Sequence, residues 1–133
     1  MKATTMLWMT MISLIIILTG CGSTAEVPES AVYQSISPEE AFQRLENEEQ
    51  IILLDVRTEA EFEEGHIPGS MLIPLQVLAE EAPLQLSDKD ATIFIYCRSG
   101  RRSLEAAKMM LEMGYTQIYD LGGILDWPYD VVK

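Results

Sequence analysis

The segment ATIFIYCRSGRRS, Ala91 to Ser103, decides how this chain is read. Ala91 to Tyr96 is a continuous apolar run, the pattern of a strand buried on both faces. Cys97 comes directly after it. Arg98, Arg101 and Arg102 then crowd into the next five residues of a chain whose formal charge is −12. Like charges this close repel, so the cluster needs something anionic to gather around. Ser103 reads as the start of a helix with Leu104, Ala107 and Leu111 on one face, stopping at Gly114.

Outward from this segment, strands and helices alternate. Ser37-Pro38-Glu39-Glu40 opens a helix that runs to about Asn47: serine caps, proline takes the first turn, and Glu40 completes a capping box. IILLDV, Ile51 to Val56, is a second buried strand. Thr58 caps a short helix, with Glu61 in the capping-box position and Gly65 at its end. The turn His66 to Ser70 leads to a short strand, Met71 to Ile73, and then to a helical or irregular segment from Pro74 to about Glu81. Leu86 to Asp90 is a polar loop. Gln117 to Asp120 is a last strand, which Gly122-Gly123 breaks. This alternation predicts an α/β domain, a parallel sheet with helices on both faces.

In such sheets ligands bind beyond the carboxyl ends of the strands, where Cys97 falls. The loop from Arg98 to Arg102 can turn its backbone N–H groups inward, and the next helix offers its unpaired N–H groups and positive dipole end to the same point. Gly100 lets the backbone bend where a side chain would obstruct. The cradle favours an anion, either the cysteine thiolate or an incoming oxyanion. Guanidinium groups suit tetrahedral oxyanions because each donates two bonds at once.

CRSGRRS resembles the active-site loop of the rhodanese family of sulfurtransferases. Asp55-Val56-Arg57 is similar to that family's Asp-Val-Arg at the end of an early strand. Phe62 to Ser70, FEEGHIPGS, resembles its Glu-x-Gly-His-Ile-x-Gly-Ala segment, with Ser70 in place of alanine. Leu121-Gly122-Gly123-Ile124 and Trp127 resemble its closing Gly-Gly-x-x-x-Trp. These matches lie in family order across Ile36 to Trp127. The resemblance implies a persulfide relay in which Cys97 takes the outer sulfur of a donor such as thiosulfate and passes it to a thiophilic acceptor. Backbone N–H groups of Arg98, Ser99, Gly100, Arg101, Arg102 and Ser103 would hold the persulfide anion, and the three arginines would attract the donor. No metal and no organic cofactor is implied. Asp55 and Arg57 would support the loop, with a structural strand-end ion pair the favoured reading. His66, the only histidine, belongs to a turn that is a structural signature of the family, not to a base.

Two other readings use the same residues. Phosphatases and arsenate reductases of the cell-cycle type share the fold and are similar in using a cysteine against an oxyanion, with a Cys-x5-Arg loop. Here the residue six beyond Cys97 is Ser103, and Arg102 arrives one position early, which leaves the six-residue, sulfur-sized loop. The third reading is non-catalytic: a tethered domain that binds a partner, against which the presence of the cysteine counts, or a thiol that senses oxidants, which lacks a second free cysteine to resolve a disulfide.

The amino terminus is different in kind. Lys2 precedes the almost uncharged stretch Met6 to Leu18, thirteen residues, short of the roughly 20 a membrane span needs and suited to the core of an export signal. Leu18-Thr19-Gly20-Cys21 resembles the bacterial lipoprotein signal. Residues 1–20 are then a leader and Cys21 the lipidated first residue. Residues 21–35 form a polar tether to a domain at 36–133 on the extracytoplasmic face of the membrane. An uncleaved anchor is the alternative. Loss of Lys2 leaves eight basic residues against 21 acidic ones, a charge of −13, which argues against nucleic acid or anionic lipid as partner. With Cys21 lipidated, Cys97 has no disulfide partner and is left as a reactive thiol. A monomer is expected.

Overall fold

The structure, a computed structural model, describes residues 32–133. The leader, Cys21 and the tether as far as residue 31 lie outside the described residues. Five strands, β1 (Gln34–Ser35), β2 (Ile51–Asp55), β3 (Met71–Leu72), β4 (Thr92–Cys97) and β5 (Gln117–Gly123), form one sheet in the order β1-β5-β4-β2-β3. Every neighbouring pair is parallel. The helices are α1 (Pro38–Asn47), α2 (Glu59–Glu64), α3 (Leu78–Gln85) and α4 (Arg101–Glu112), with short 3₁₀ turns at Leu75–Val77 and Ile124–Asp126. No helix among the described residues is long and apolar enough to cross a membrane.

The apolar strands divide their side chains between two cores, as the two-residue period of a strand requires. From β4, Ile93, Ile95 and Cys97 face one core with Leu78 and Ala82 of α3 and Ala106, Ala107 and Met110 of α4. Phe94 and Tyr96 face the other, with Ala41 of α1, Leu53 and Ile67. Cys97 therefore ends the central strand on the α4 side. That parity is what aims its sulfur at the amino end of α4.

Four local expectations change. The tether does not reach Ser35: Gln34 and Ser35 pair with Tyr119 and Asp120 as an edge strand, because the outer edge of β5 offers backbone groups that need partners. Helix α4 starts at Arg101, not Ser103, since Gly100 at φ +100° supplies the left-handed residue that turns the chain into it. Helix α3 runs on to Gln85 through Pro83. Leu78, Ala82 and Leu86 bury one face there, and the Tyr115 hydroxyl lies 3.0 and 2.7 Å from the carbonyls of Ala82 and Leu86. Finally, Gly122-Gly123 does not break β5. The strand bulges, Tyr96 and Cys97 pairing with Gly122 and Gly123, while Asp120 Oδ1 accepts the Gly122 N–H at 3.0 Å.

Candidate active site

Cys97 is buried, 1% exposed, and the Gly100 N–H donates to its sulfur at 3.0 Å. The turn that makes this bond depends on two glycines. Gly100 takes its positive φ at the crest. Gly123 lies beneath: a Cβ there would sit 2.4 Å from the Arg98 carbonyl oxygen and 2.8 Å from Ser99 Cα. Two further bonds clamp the turn to β5 and to the adjoining 3₁₀ turn. The Leu125 N–H donates to the Arg98 carbonyl at 3.2 Å, and the Ser103 hydroxyl lies 3.0 and 3.3 Å from the carbonyls of Gly100 and Gly122. Ser103 thus turns its hydroxyl to the frame of the loop. Its N–H, like those of Arg101 and Arg102, is in the first turn of α4 and has no acceptor within the helix. The Gly100 N–H meets the sulfur, and the dipole of α4 favours negative charge at this end of the helix.

The three arginines are not equivalent. Arg98 is exposed and forms no ion pair among the described residues. Arg101 is 81% exposed, with Glu105 only at 3.9 Å. Arg102 is half-buried and gives both terminal nitrogens to the two oxygens of Glu61, each at 2.8 Å. Glu61 also accepts from the N–H and hydroxyl of Thr58, at 3.1 and 3.0 Å, so one carboxylate caps α2 and holds α4. Arg102 is committed to this frame, which leaves Arg98 and Arg101 as the exposed cations of the loop. The bonds from Arg102 and then Thr58, set against burial, push the Glu61 carboxyl from its ordinary 4.5 down to about 2. A lowered folded pKa stabilises the protein above pH 4.5 and loses that contribution as pH falls through 2. Glu61→Gln is therefore expected to flatten the pH dependence of stability between about pH 5 and 2.5, measured by urea midpoints; an unchanged acid limb would refute the coupling.

A second hub lies behind the loop. Arg57 and Asp55 are both buried, Asp55 completely. The Arg57 Nε is 3.0 Å from each Asp55 oxygen and its Nη2 is 2.7 Å from Oδ2. The same Nη2 donates to the Gly65 carbonyl at 2.7 Å, and the guanidinium lies 5.6 Å from the Tyr96 ring centre. The Tyr96 hydroxyl oxygen accepts from the Ile67 N–H at 3.1 Å and meets Ser70 Oγ at 3.0 Å; burial pushes its pKa above the usual phenol range. The pair thus ties β2 and β4 to the Gly65–Ser70 turn. Within that turn His66 stacks on Phe62 with ring centres 3.7 Å apart. Its Nδ1 donates to the Phe62 carbonyl at 3.0 Å, and its backbone pairs with Val132. The ring is engaged in structure.

Two cavities adjoin this region. One of about 490 Å³ is walled by Phe42, Leu45, Trp127 and Tyr129 and includes no residue of the cysteine loop. The other, about 440 Å³, is lined by Arg98, Arg57, Glu61, Ile124, Leu125 and Trp127 among others. The smaller cleft is the one that adjoins the chemistry. Among the described residues, no three His, Cys, Asp or Glu side chains converge as metal ligands.

Residues 37–128 match the model of the rhodanese-like domain. The chain belongs to the rhodanese-like domain family. Among its relatives, a protein named sulfurtransferase from Allochromatium vinosum is 38% identical over 95 residues, 69% of this chain and 85% of that one. The thiosulfate sulfurtransferase PspE of Escherichia coli is 35% identical over 80 residues, 60% of this chain and 77% of that one. A rhodanese-related protein from Thermoplasma volcanium has a similar structure, with a TM-score of 0.66 and 28% identity over 75% of this chain and 98% of that one. The parallel sheet with helices on both faces is the rhodanese-like fold of these neighbours.

Sequence reasoning misses the second task of Glu61, the close approach at Gly123 and the Tyr96 hydroxyl hub. Glu61 gives a signal only as a capping residue, Gly123 only as a glycine in a strand, and Tyr96 none.

Proposed function

We propose that this chain is a sulfurtransferase of the rhodanese type, exported and lipid-anchored through Cys21. It carries sulfane sulfur on Cys97 from thiosulfate, or a donor of like chemistry, to a thiophilic acceptor. The observation that carries this reading is the Gly100 N–H on the Cys97 sulfur, inside a six-residue turn at a helix amino terminus. Relatives named sulfurtransferase and thiosulfate sulfurtransferase support it.

The chemistry grows from the geometry. Arg98 and Arg101 draw the dianion to the mouth. The Cys97 thiolate attacks the outer sulfur of thiosulfate. A new S–S bond forms, the donor's own S–S bond breaks, and sulfite leaves with the electron pair. The terminal sulfur of the resulting Cys97–S–S⁻ then occupies the cradle of loop and helix N–H groups, where a negative charge is stabilised. No oxidant enters, because sulfane sulfur is transferred at its own oxidation level. The position six beyond the cysteine, where a phosphatase-like loop has arginine, is Ser103, and its hydroxyl braces the loop. That favours sulfur over phosphate.

Intact-mass spectrometry tests the relay. Residues 32–133 hold all five strands and both cores, so a soluble form beginning at Gly22 is suitable. Thiosulfate is expected to add one sulfur, cyanide to remove it, and Cys97→Ser to show neither. A reduced, folded protein that gains no mass would exclude thiosulfate as donor. The anchor is tested separately: labelled palmitate is expected to enter the full chain in a bacterial host and not Cys21→Ala.

A further inference from the structure

The larger cavity, about 490 Å³, has the size usual for a small-molecule site, and the sulfur chemistry makes no use of it. Its wall is aromatic. Phe42 of α1 and Tyr129 stack with ring centres 3.9 Å apart and planes at 17°. Trp127 stands at 59° to Phe42 and 71° to Tyr129, with ring centres 6.2 and 5.1 Å away. The rings form a corner, not a flat plate. The segment that carries Trp127 and Tyr129 is tied down on both sides. The Trp127 N–H donates to the Ile124 carbonyl at 3.1 Å, and Val132 exchanges backbone bonds of 2.9 and 2.8 Å with His66. The charge of the cavity is one-sided. Glu46 and Asp130 line it, and no Lys, Arg or His does. Both carboxylates are exposed, and neither forms an ion pair among the described residues. The neighbouring cleft, by contrast, is lined by Arg57 and Arg98. One further group is unspent: the Trp127 indole N–H is buried with no hydrogen-bond acceptor among the described residues, so packing alone holds that ring.

We propose that this cavity binds a free organic cation whose nitrogen is fully alkylated, of the trimethylammonium class. Aromatic faces attract a cation through their quadrupole, and two carboxylates without counter-ions bias the cavity toward positive charge. An ordinary ammonium or guanidinium is matched less well. Ring faces do not replace the hydrogen bonds its N–H groups make in water, and pairing with exposed carboxylates contributes little. A trimethylammonium has no N–H to leave unpaired, and its methyl groups pack on the rings. A choline lipid carries a phosphate beside its ammonium, which Glu46 and Asp130 repel. The same repulsion disfavours glycine betaine, whose carboxylate lies beside its nitrogen. Choline, a cation with a neutral tail, fits every feature. The site is independent of the persulfide reading of Cys97, since no residue of the cysteine loop lines it.

The test is an NMR titration of the soluble form beginning at Gly22. That form excludes Trp8, so Trp127 is its only tryptophan and its indole N–H gives a single signal in the proton–nitrogen correlation spectrum. Choline chloride is added at constant ionic strength. The matched probe is its neutral isostere, in which a tert-butyl group replaces the trimethylammonium. Choline is expected to shift the Trp127 indole signal and the backbone signals of Leu45 and Glu46, saturating in the millimolar range usual for so small a ligand. It is expected to bind about tenfold more tightly than the isostere, and more tightly than glycine betaine or lysine. Phe42→Leu, and Glu46→Gln combined with Asp130→Asn, are each expected to weaken choline at least about threefold. The double variant leaves the isostere unaffected, and the spectrum of each variant shows whether it is folded. Equal affinity for choline and the isostere overturns the cation assignment. Saturating shifts centred on Arg98 and Leu125, or folded variants that bind choline as the wild type does, overturn the assignment to this cavity. Shifts that never saturate, or that appear with phosphatidylcholine vesicles and not with choline, overturn the proposal as a whole.

Discussion

Gly123→Ala is expected to slow sulfur loading on Cys97 at least about 100-fold. The added Cβ would meet the Arg98 carbonyl oxygen at 2.4 Å and Ser99 Cα at 2.8 Å. Both are backbone atoms, so no rotamer change relieves the clash, and either β5 or the cysteine turn must give. Strand β5 is held by β4 on one side and β1 on the other, while the turn is held by single bonds from Leu125 and Ser103. The turn gives. A displacement of about 1 Å separates the Gly100 N–H from the sulfur and costs on the order of 100-fold in a positioned reaction. The overpacking also costs about 1–3 kcal/mol of stability. Gly114→Ala is the matched control, since its φ of +91° brings strain but a Cβ there meets nothing within 4 Å. It is expected to lose about 1–2 kcal/mol with loading unchanged. Quenched-flow mass spectrometry and thermal melts on both variants measure this, and wild-type loading by Gly123→Ala would refute the close-approach argument.

The contrast between what the sequence makes legible and what it hides has a physical origin. The reactive turn is legible because its parts are contiguous: a buried strand, a cysteine, a permissive glycine and a helix start. The choice among Arg98, Arg101 and Arg102 is hidden, because it is made by Glu61, forty-one residues earlier than Arg102. Ser103 reads as a helix cap because serine prefers that position, yet its hydroxyl is taken by two carbonyls of the loop frame. Gly122-Gly123 reads as a break because glycine marks turns, but glycine inside a strand also marks a bulge or a backbone passing close by. Only the neighbouring chain distinguishes these. Strand β1 is two exposed residues long, too short for any periodicity, and is defined by backbone pairing alone.

The clefts and hubs share one plan. Three bonds that the sequence does not announce brace the surroundings of the loop: Arg102 to Glu61 fixes α4 against α2, Leu125 fixes the 3₁₀ turn, and Arg57 fixes the Gly65 corner. The charge left unrestrained, on Arg98 and Arg101, faces solvent. Under the proposed relay, restraint beside Cys97 and exposed charge on Arg98 and Arg101 suit a site that meets two different reagents.

Asp55→Ala is expected to be the most destabilising single substitution in this set, at about 3–5 kcal/mol. Asp55 is fully buried and the Arg57 side chain is 6% exposed. Removing the carboxylate strands a guanidinium that keeps only the Gly65 carbonyl and the Tyr96 ring as partners. Burial opposes that charge and Asp55 sustains it, so its loss leaves the opposing effect uncompensated. A domain of this size has roughly 5–15 kcal/mol in total, so the loss is a large share of the whole. Replacing both partners, as in Asp55→Leu with Arg57→Met, is expected to recover most of the loss, because the cost lies in the unpaired charge more than in the missing pair. Urea unfolding of the single and double variants separates the two contributions. If the double variant is no more stable than Asp55→Ala, the pair itself holds the sheet to the Gly65–Ser70 turn. If it recovers stability but loads sulfur slowly, Arg57 acts in the cleft as well as beneath it.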